Sequence, residues 1–112
     1  MPITNPDYDS LSHDEVASLI GIKASYIPML IESFLEEGRP TLDELENSIQ
    51  TADYDKIRIS AHSITGSAAN LQLIEVASMA KEMELAAAKA DDTFDYQHYF
   101  EAIKNAINTI KV

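Results

Sequence analysis

Apolar residues recur at steps of three and four along nearly the whole chain, and this spacing limits the possible folds more than any other feature. It is cleanest near the C-terminus, where Tyr96, Tyr99, Phe100, Ile103, Ala106, Ile107 and Ile110 share one face of a helix. Only three glycines and four prolines interrupt the 112 residues. No segment alternates apolar and polar side chains as a half-buried strand does. The spacing therefore predicts an all-α chain.

Start and stop signals divide the pattern. Ser12-His13-Asp14-Glu15 reads as a capping box, with Ser12 as N-cap and Glu15 reaching back to it. The short helix it opens runs to about Ile20 and stops at Gly21. A second helix begins near Lys23 to Tyr26 and carries Ile27, Leu30, Ile31, Phe34 and Leu35. Gly38-Arg39-Pro40 interrupts it, yet the stripe resumes in phase at Leu42, Leu45 and Ile49. This favours one long helix kinked near Pro40 over two helices. Thr51-Ala52-Asp53 marks a turn and a cap before a third helix with Ile57, Ala61, Ile64, Ala68 and Leu71. A fourth carries Ile74, Val76, Ala77, Ala80, Met83 and Ala87, and Asp91-Asp92-Thr93 is expected to cap the fifth. Short connections between long amphipathic helices imply an antiparallel four-helix bundle with a short extra N-terminal helix, over residues 1–112 as a single domain.

Charge and composition exclude several classes of function. Nineteen acidic residues against eight basic ones give a net charge of −11, which argues against a nucleic-acid partner. Most of that charge reads as solvated helix faces. No apolar run is long enough to span a bilayer, and MPITNPDYDS lacks the basic and apolar regions of a signal peptide. With no cysteine, disulfides and thiolate metal sites are excluded, and a cytoplasmic location is the default. Met1 and the full helix set are the marks expected of a stand-alone protein, read here as a monomer.

The stretch AHSITGSAAN, residues 61–70, carries a histidine and, four residues on, a glycine inside a helical pattern. Glycine in a helix interior costs about 1 kcal/mol relative to alanine. At 100° per residue His62 lies about 140° from the centre of the stripe and points outward, with Ile59 and Gly66 one turn to either side. Ala69 and Asn70 border that face. Two readings stay open on spacing alone. Gly66 can keep the approach to the imidazole bare, making an accessible, partly apolar patch around a nucleophilic nitrogen. Alternatively, His62 is an ordinary surface histidine, and Gly66, with Ser67, Ala68 and Ala69, permits close helix packing.

His62-Ser63-Ile64-Thr65-Gly66-Ser67-Ala68-Ala69-Asn70-Leu71 resembles the signature of histidine phosphotransfer (HPt) domains: alanine-histidine, any residue, an apolar residue, lysine, glycine, then small residues and an apolar one. Phe34 and Leu35, then Leu42 and Leu45, are similar to the family's preceding helix. Ala52-Asp53 resembles its turn, and Met83-Glu84 an apolar-glutamate pair in its next helix. The likeness covers roughly residues 22–90, and more loosely the whole chain. It implies an HPt-like helical bundle and a phosphorelay intermediate. His62 would accept a phosphoryl group from a receiver-domain aspartate or a histidine kinase, and pass it to a receiver aspartate. The implied partner is the receiver domain of a response regulator or hybrid histidine kinase, with no membrane partner.

Two residues depart from the signature: Thr65 stands where lysine is usual, and Gln72 where a glycine often follows the last apolar residue. Thr65 offers a neutral hydrogen bond in place of a charged one. Arg58, one turn before His62, and Lys81, if the fourth helix sets Glu84 opposite His62, are candidate replacements or simply solvated cations. Glu84 is the candidate acceptor for the proton on the second ring nitrogen, or else a solvated glutamate. Ser63 and Ser67 are candidates for phosphate contacts or local caps. Ile59, Gly66 and Ala69 are expected to dock the partner. No acidic or histidine cluster surrounds His62 and no glycine-rich phosphate loop occurs. The chain is therefore read as a carrier without catalysis, metal or cofactor of its own, with Mg²⁺ supplied by the receiver. His13 and His98 read as surface residues. The missing lysine keeps open a second function, a degenerate or phosphorylation-independent adaptor that binds a receiver. A diiron bundle would need inward Glu-x-x-His sets, which are absent from the sequence.

Overall fold

The computed structural model describes residues 3–111. Met1, on which the stand-alone expectation rests, lies outside the described residues. Five α-helices run α1 (His13–Ile20), α2 (Ile27–Gln50), α3 (Tyr54–Asn70), α4 (Ile74–Ala88) and α5 (Tyr96–Asn108), with a 3-10 turn over Ala24–Tyr26. The described residues contain no strand. The long helices α2 to α5 form the expected antiparallel bundle, and α1 packs beside the start of α2.

The stripes read from the sequence form the core. Ile27, Ile31, Leu45, Ile57, Ala61, Ala68, Val76, Ala80, Met83 and Ile103 are fully or almost fully buried. Helix α2 is continuous through Pro40, because Phe34, Leu35, Leu42 and Leu45 stay on one face and their burial outweighs the lost backbone bond. The hydroxyl of Thr41 donates to Glu37 O at 3.0 Å in that weakened turn. Ser12 caps α1 by accepting from Glu15 N–H at 3.2 Å, but the exposed Glu15 carboxylate returns no bond, so the capping box is only half formed.

Two expectations need correction. Ile74 is 62% exposed, and Leu73 takes its place in the core. The reversal at Gln72 turns Leu73 inward. Helix α5 is capped by Asp95, which accepts from His98 N–H at 3.2 Å, and not by Asp91 to Thr93. Asp91 instead accepts from the backbone and hydroxyl of Thr93 at 2.9 and 2.6 Å, closing a local turn. Tyr96 Oη donates to Asp91 O at 2.8 Å, and the Phe94 ring packs on Tyr96 and Tyr99, so the chain becomes helical only after Phe94 is seated.

The N-terminal segment is strapped across the bundle end. Ile3, Tyr8 and Leu11 pack on the core. Tyr8 N–H donates to Thr109 Oγ1 at 2.8 Å, and Lys111 Nζ meets Asp9 at 2.6 Å.

Helices α1 to α4 all end in one geometry. Just past each helix a backbone N–H donates back five positions: Ile22 to Ala17 O, Asp53 to Ser48 O, Leu73 to Ala68 O and Asp91 to Ala86 O, at 2.9 to 3.0 Å. The residue before each donor is left-handed. Only the first is glycine, Gly21; the others are Ala52 (φ 53°), Gln72 (φ 61°) and Ala90 (φ 51°). A left-handed residue with a Cβ is strained by about 1 kcal/mol or more. This gives the glycine position of the HPt signature its physical reason. Replacing Gln72 with glycine relieves that strain and is expected to raise unfolding free energy by about 0.5–1 kcal/mol, read as a higher urea midpoint at unchanged slope.

Candidate functional site

The site grows from the closest helix pair. Ala61 and Ala68 on α3 and Ala80 on α4 have no exposed surface, so these helices approach tightly. The reversal over Leu71–Leu73 is short and fixes their register. His62 thereby meets Glu84: His62 Nδ1 lies 2.9 Å from Glu84 Oε2. The imidazole is 73% exposed, whereas the Glu84 side chain is only 13% exposed. A largely buried carboxylate thus grips one nitrogen of a largely free ring. With Nδ1–H donating to Glu84, Nε2 carries the lone pair and faces solvent.

The remaining residues singled out from the sequence take up different positions. An added Cβ at Gly66 would meet nothing within 4 Å, so Gly66 is not there to permit helix packing. The turn after His62 is bare toward solvent. Ile59 is 53% exposed one turn before the ring, and Ala69 is exposed two turns after it. Ser63 is exposed, and Ser67 is half-buried beside Phe34 and Glu37 of α2.

The candidate cations separate clearly. Thr65 does not face the ring with a free hydroxyl, since its Oγ1 donates to Ala61 O at 2.8 Å within its own helix. Arg58 is paired with Asp55 at 2.9 Å, one turn farther from His62. Lys81 reaches the site: its Nζ lies 3.7 Å from Glu84 Oε1. Sequence reasoning did not single out Leu85, the residue after Glu84 in α4, which is 51% exposed. Its position outside the α4 stripe was the signal available.

His98 offers a contrasting imidazole. Its Nδ1 is hydrogen-bonded to Asp95 on the same helix turn, and that bond, with the Asp95 charge, raises its pKa above 6.5. Gln97 and Glu101 are its exposed neighbours. His13 is half-buried in the first turn of α1 rather than fully at the surface. Among the described residues, no group of three or more His, Asp or Glu side chains could hold a metal ion. None of the described helices is long and apolar enough to cross a membrane singly.

The Hpt domain family model matches residues 29–111, a span that contains His62, Glu84 and all of α3, α4 and α5. The chain belongs to the Hpt domain family. The match includes α5, where the likeness in the sequence was looser than over residues 22–90. Hpt domains are phosphocarrier modules of phosphorelays and interact with receiver domains in two-component systems. Comparison with curated proteins and with solved structures gave no match.

The Asp95–His98 pair predicts a pH dependence. The His98 bond also holds the Asp95 carboxyl below its ordinary value. Because folding raises the His98 pKa, the pair adds stability below about pH 6.5, and this is lost as pH rises through the raised value. In an NMR titration His98 should titrate above 6.5, and Asp95→Asn should bring it back toward that figure.

Proposed function

We propose that His62 is the phosphoacceptor of a phosphorelay intermediate, loaded by a receiver aspartate or a histidine kinase and discharged to a receiver aspartate. The observation that carries this is the 2.9 Å contact from Glu84 to Nδ1, which leaves Nε2 exposed beside the bare turn at Gly66. When the donor is an aspartyl phosphate, the Nε2 lone pair attacks phosphorus. The P–N bond forms, the P–O bond to the aspartyl carboxylate breaks, and that electron pair leaves as free aspartate. The Nδ1 proton stays in place, so the ring becomes cationic while it carries a dianionic phosphoryl group. Glu84 stabilises that cation from behind the ring. Reversal of the same step discharges the carrier.

The chain's part is to hold one tautomer and to admit another protein's carboxylate. Mg²⁺ and the acid-base groups come from the partner receiver. Ile59, Gly66 and Ala69, with Leu85 across the site, form the docking rim. Ser63 and Ser67 lie along the side toward α2, where phosphoryl oxygens can meet their hydroxyls. A carrier of this kind works as a cytoplasmic monomer. The absence of cysteine and the charge of −11, which keeps copies apart, agree with that.

Incubation with a phosphorylated receiver should place acid-labile label on the wild type and none on His62→Gln. Equal labelling would favour the adaptor function, in which the chain binds a receiver without carrying phosphate. Gly66 permits a cleaner separation of docking from folding. Gly66→Ala should stabilise the helix by up to about 1 kcal/mol. Gly66→Leu should fold equally well yet transfer phosphate slowly; unimpaired transfer would rule out the bare turn as the entry for the partner.

A further inference from the structure

We infer that Lys81 of α4 supplies the positive charge that holds the phosphoryl group on His62, a role that residue 65 of α3 cannot fill here. The inference rests on His62 being the phosphoacceptor. A dianion placed on Nε2 stands on a protein of net charge −11, with the Glu84 carboxylate just behind the ring. Without a nearby cation the phosphorylated state is opposed by its surroundings.

Three residues could answer that need, and their bonds decide among them. The Thr65 hydroxyl is spent on Ala61 O and is neutral in any case. The Arg58 guanidinium is hydrogen-bonded to Asp55 at 2.9 Å, one turn farther from His62. Lys81 is tethered but not locked. Its Nζ stands 3.7 Å from Glu84 Oε1, beyond hydrogen-bond reach, and its side chain is 52% exposed. Glu84 Oε1 is itself buried without a hydrogen-bond partner. The carboxylate therefore attracts the ammonium to the site while its other oxygen is engaged by His62. Loose surface pairs of this type exchange partners readily.

Register supplies an independent argument. In an antiparallel pair a step forward on one helix meets a step back on the other. Lys81 lies three residues before Glu84, and Thr65 three after His62, so the two occupy the same layer. Lys81 thus enters from α4 at the level where a cation on α3 would have stood. The four-carbon stem lets the ammonium move from Glu84 to the phosphoryl oxygens without displacing either helix. The covalent step is unchanged: Lys81 forms and breaks no bond, and the Nδ1 proton stays on the ring, hydrogen-bonded to Glu84.

The test loads the full chain with phosphoramidate, a small donor that needs no partner, and follows phosphohistidine by ³¹P NMR. Lys81→Gln should reduce the rate of loading or the lifetime of the phosphohistidine about tenfold, the worth of one charge-assisted hydrogen bond. Lys81→Arg should stay near wild type, and Arg58→Gln should have little effect. Adding Thr65→Lys to Lys81→Gln should restore the loss by placing the charge on the opposite helix. Urea midpoints of all variants confirm folding. Wild-type-like loading and lifetime in Lys81→Gln would overturn the inference while leaving His62 as the phosphoacceptor. A loss in Lys81→Gln that neither Arg nor Thr65→Lys restores would also overturn it. Absence of label on wild-type His62 would overturn both this inference and the reading it rests on.

Discussion

Close packing of α3 on α4 is the constraint on which the site depends. Small side chains at Ala61, Ala68 and Ala80 let the two backbones approach, and the tight reversal at Gln72 permits a single register. That register sets Glu84 behind His62 and Lys81 level with Thr65. Slippage by one turn would put a different residue behind the ring and leave Glu84, mostly buried, without its imidazole. Burying an unpaired carboxylate is costly, so the His62–Glu84 contact and the helix register support each other.

Much of the fold was legible because the helical repeat is nearly unbroken. Pro40 sits where a helix should fail, yet the phase from Leu35 to Leu42 already indicated one helix, and burial of that stripe carries the helix through. Where the reading went wrong, the deciding groups were turn residues. Gln72 and Ala90 take left-handed conformations that their types do not advertise. The Ile74 error followed directly, since the reversal just before it determines which of two adjacent apolar residues faces inward. At the start of α5, three plausible caps in succession concealed Asp95, and only the seating of Phe94 and Tyr96 selects it.

The candidate site was partly readable for similar reasons. His62, Ile59 and Gly66 share a face by arithmetic on one helix, so their exposure followed from spacing. Glu84 and Lys81 come from another helix. Their approach depends on packing distance and register, which no single-helix pattern encodes. The fates of the other candidate cations were also hidden. Whether Arg58 faces Asp55 or the ring, and whether Thr65 bonds its own helix, are choices among rotamers.

The strap that joins Tyr8 to Thr109 and Asp9 to Lys111 has a topological consequence. Both ends of the described chain leave the bundle at the same pole, while the imidazole opens sideways from the middle of α3. Anything joined to either end would start from that pole and not from beside His62. An Hpt domain arranged in this way can be tethered at one pole and leave the outer face of α3 open.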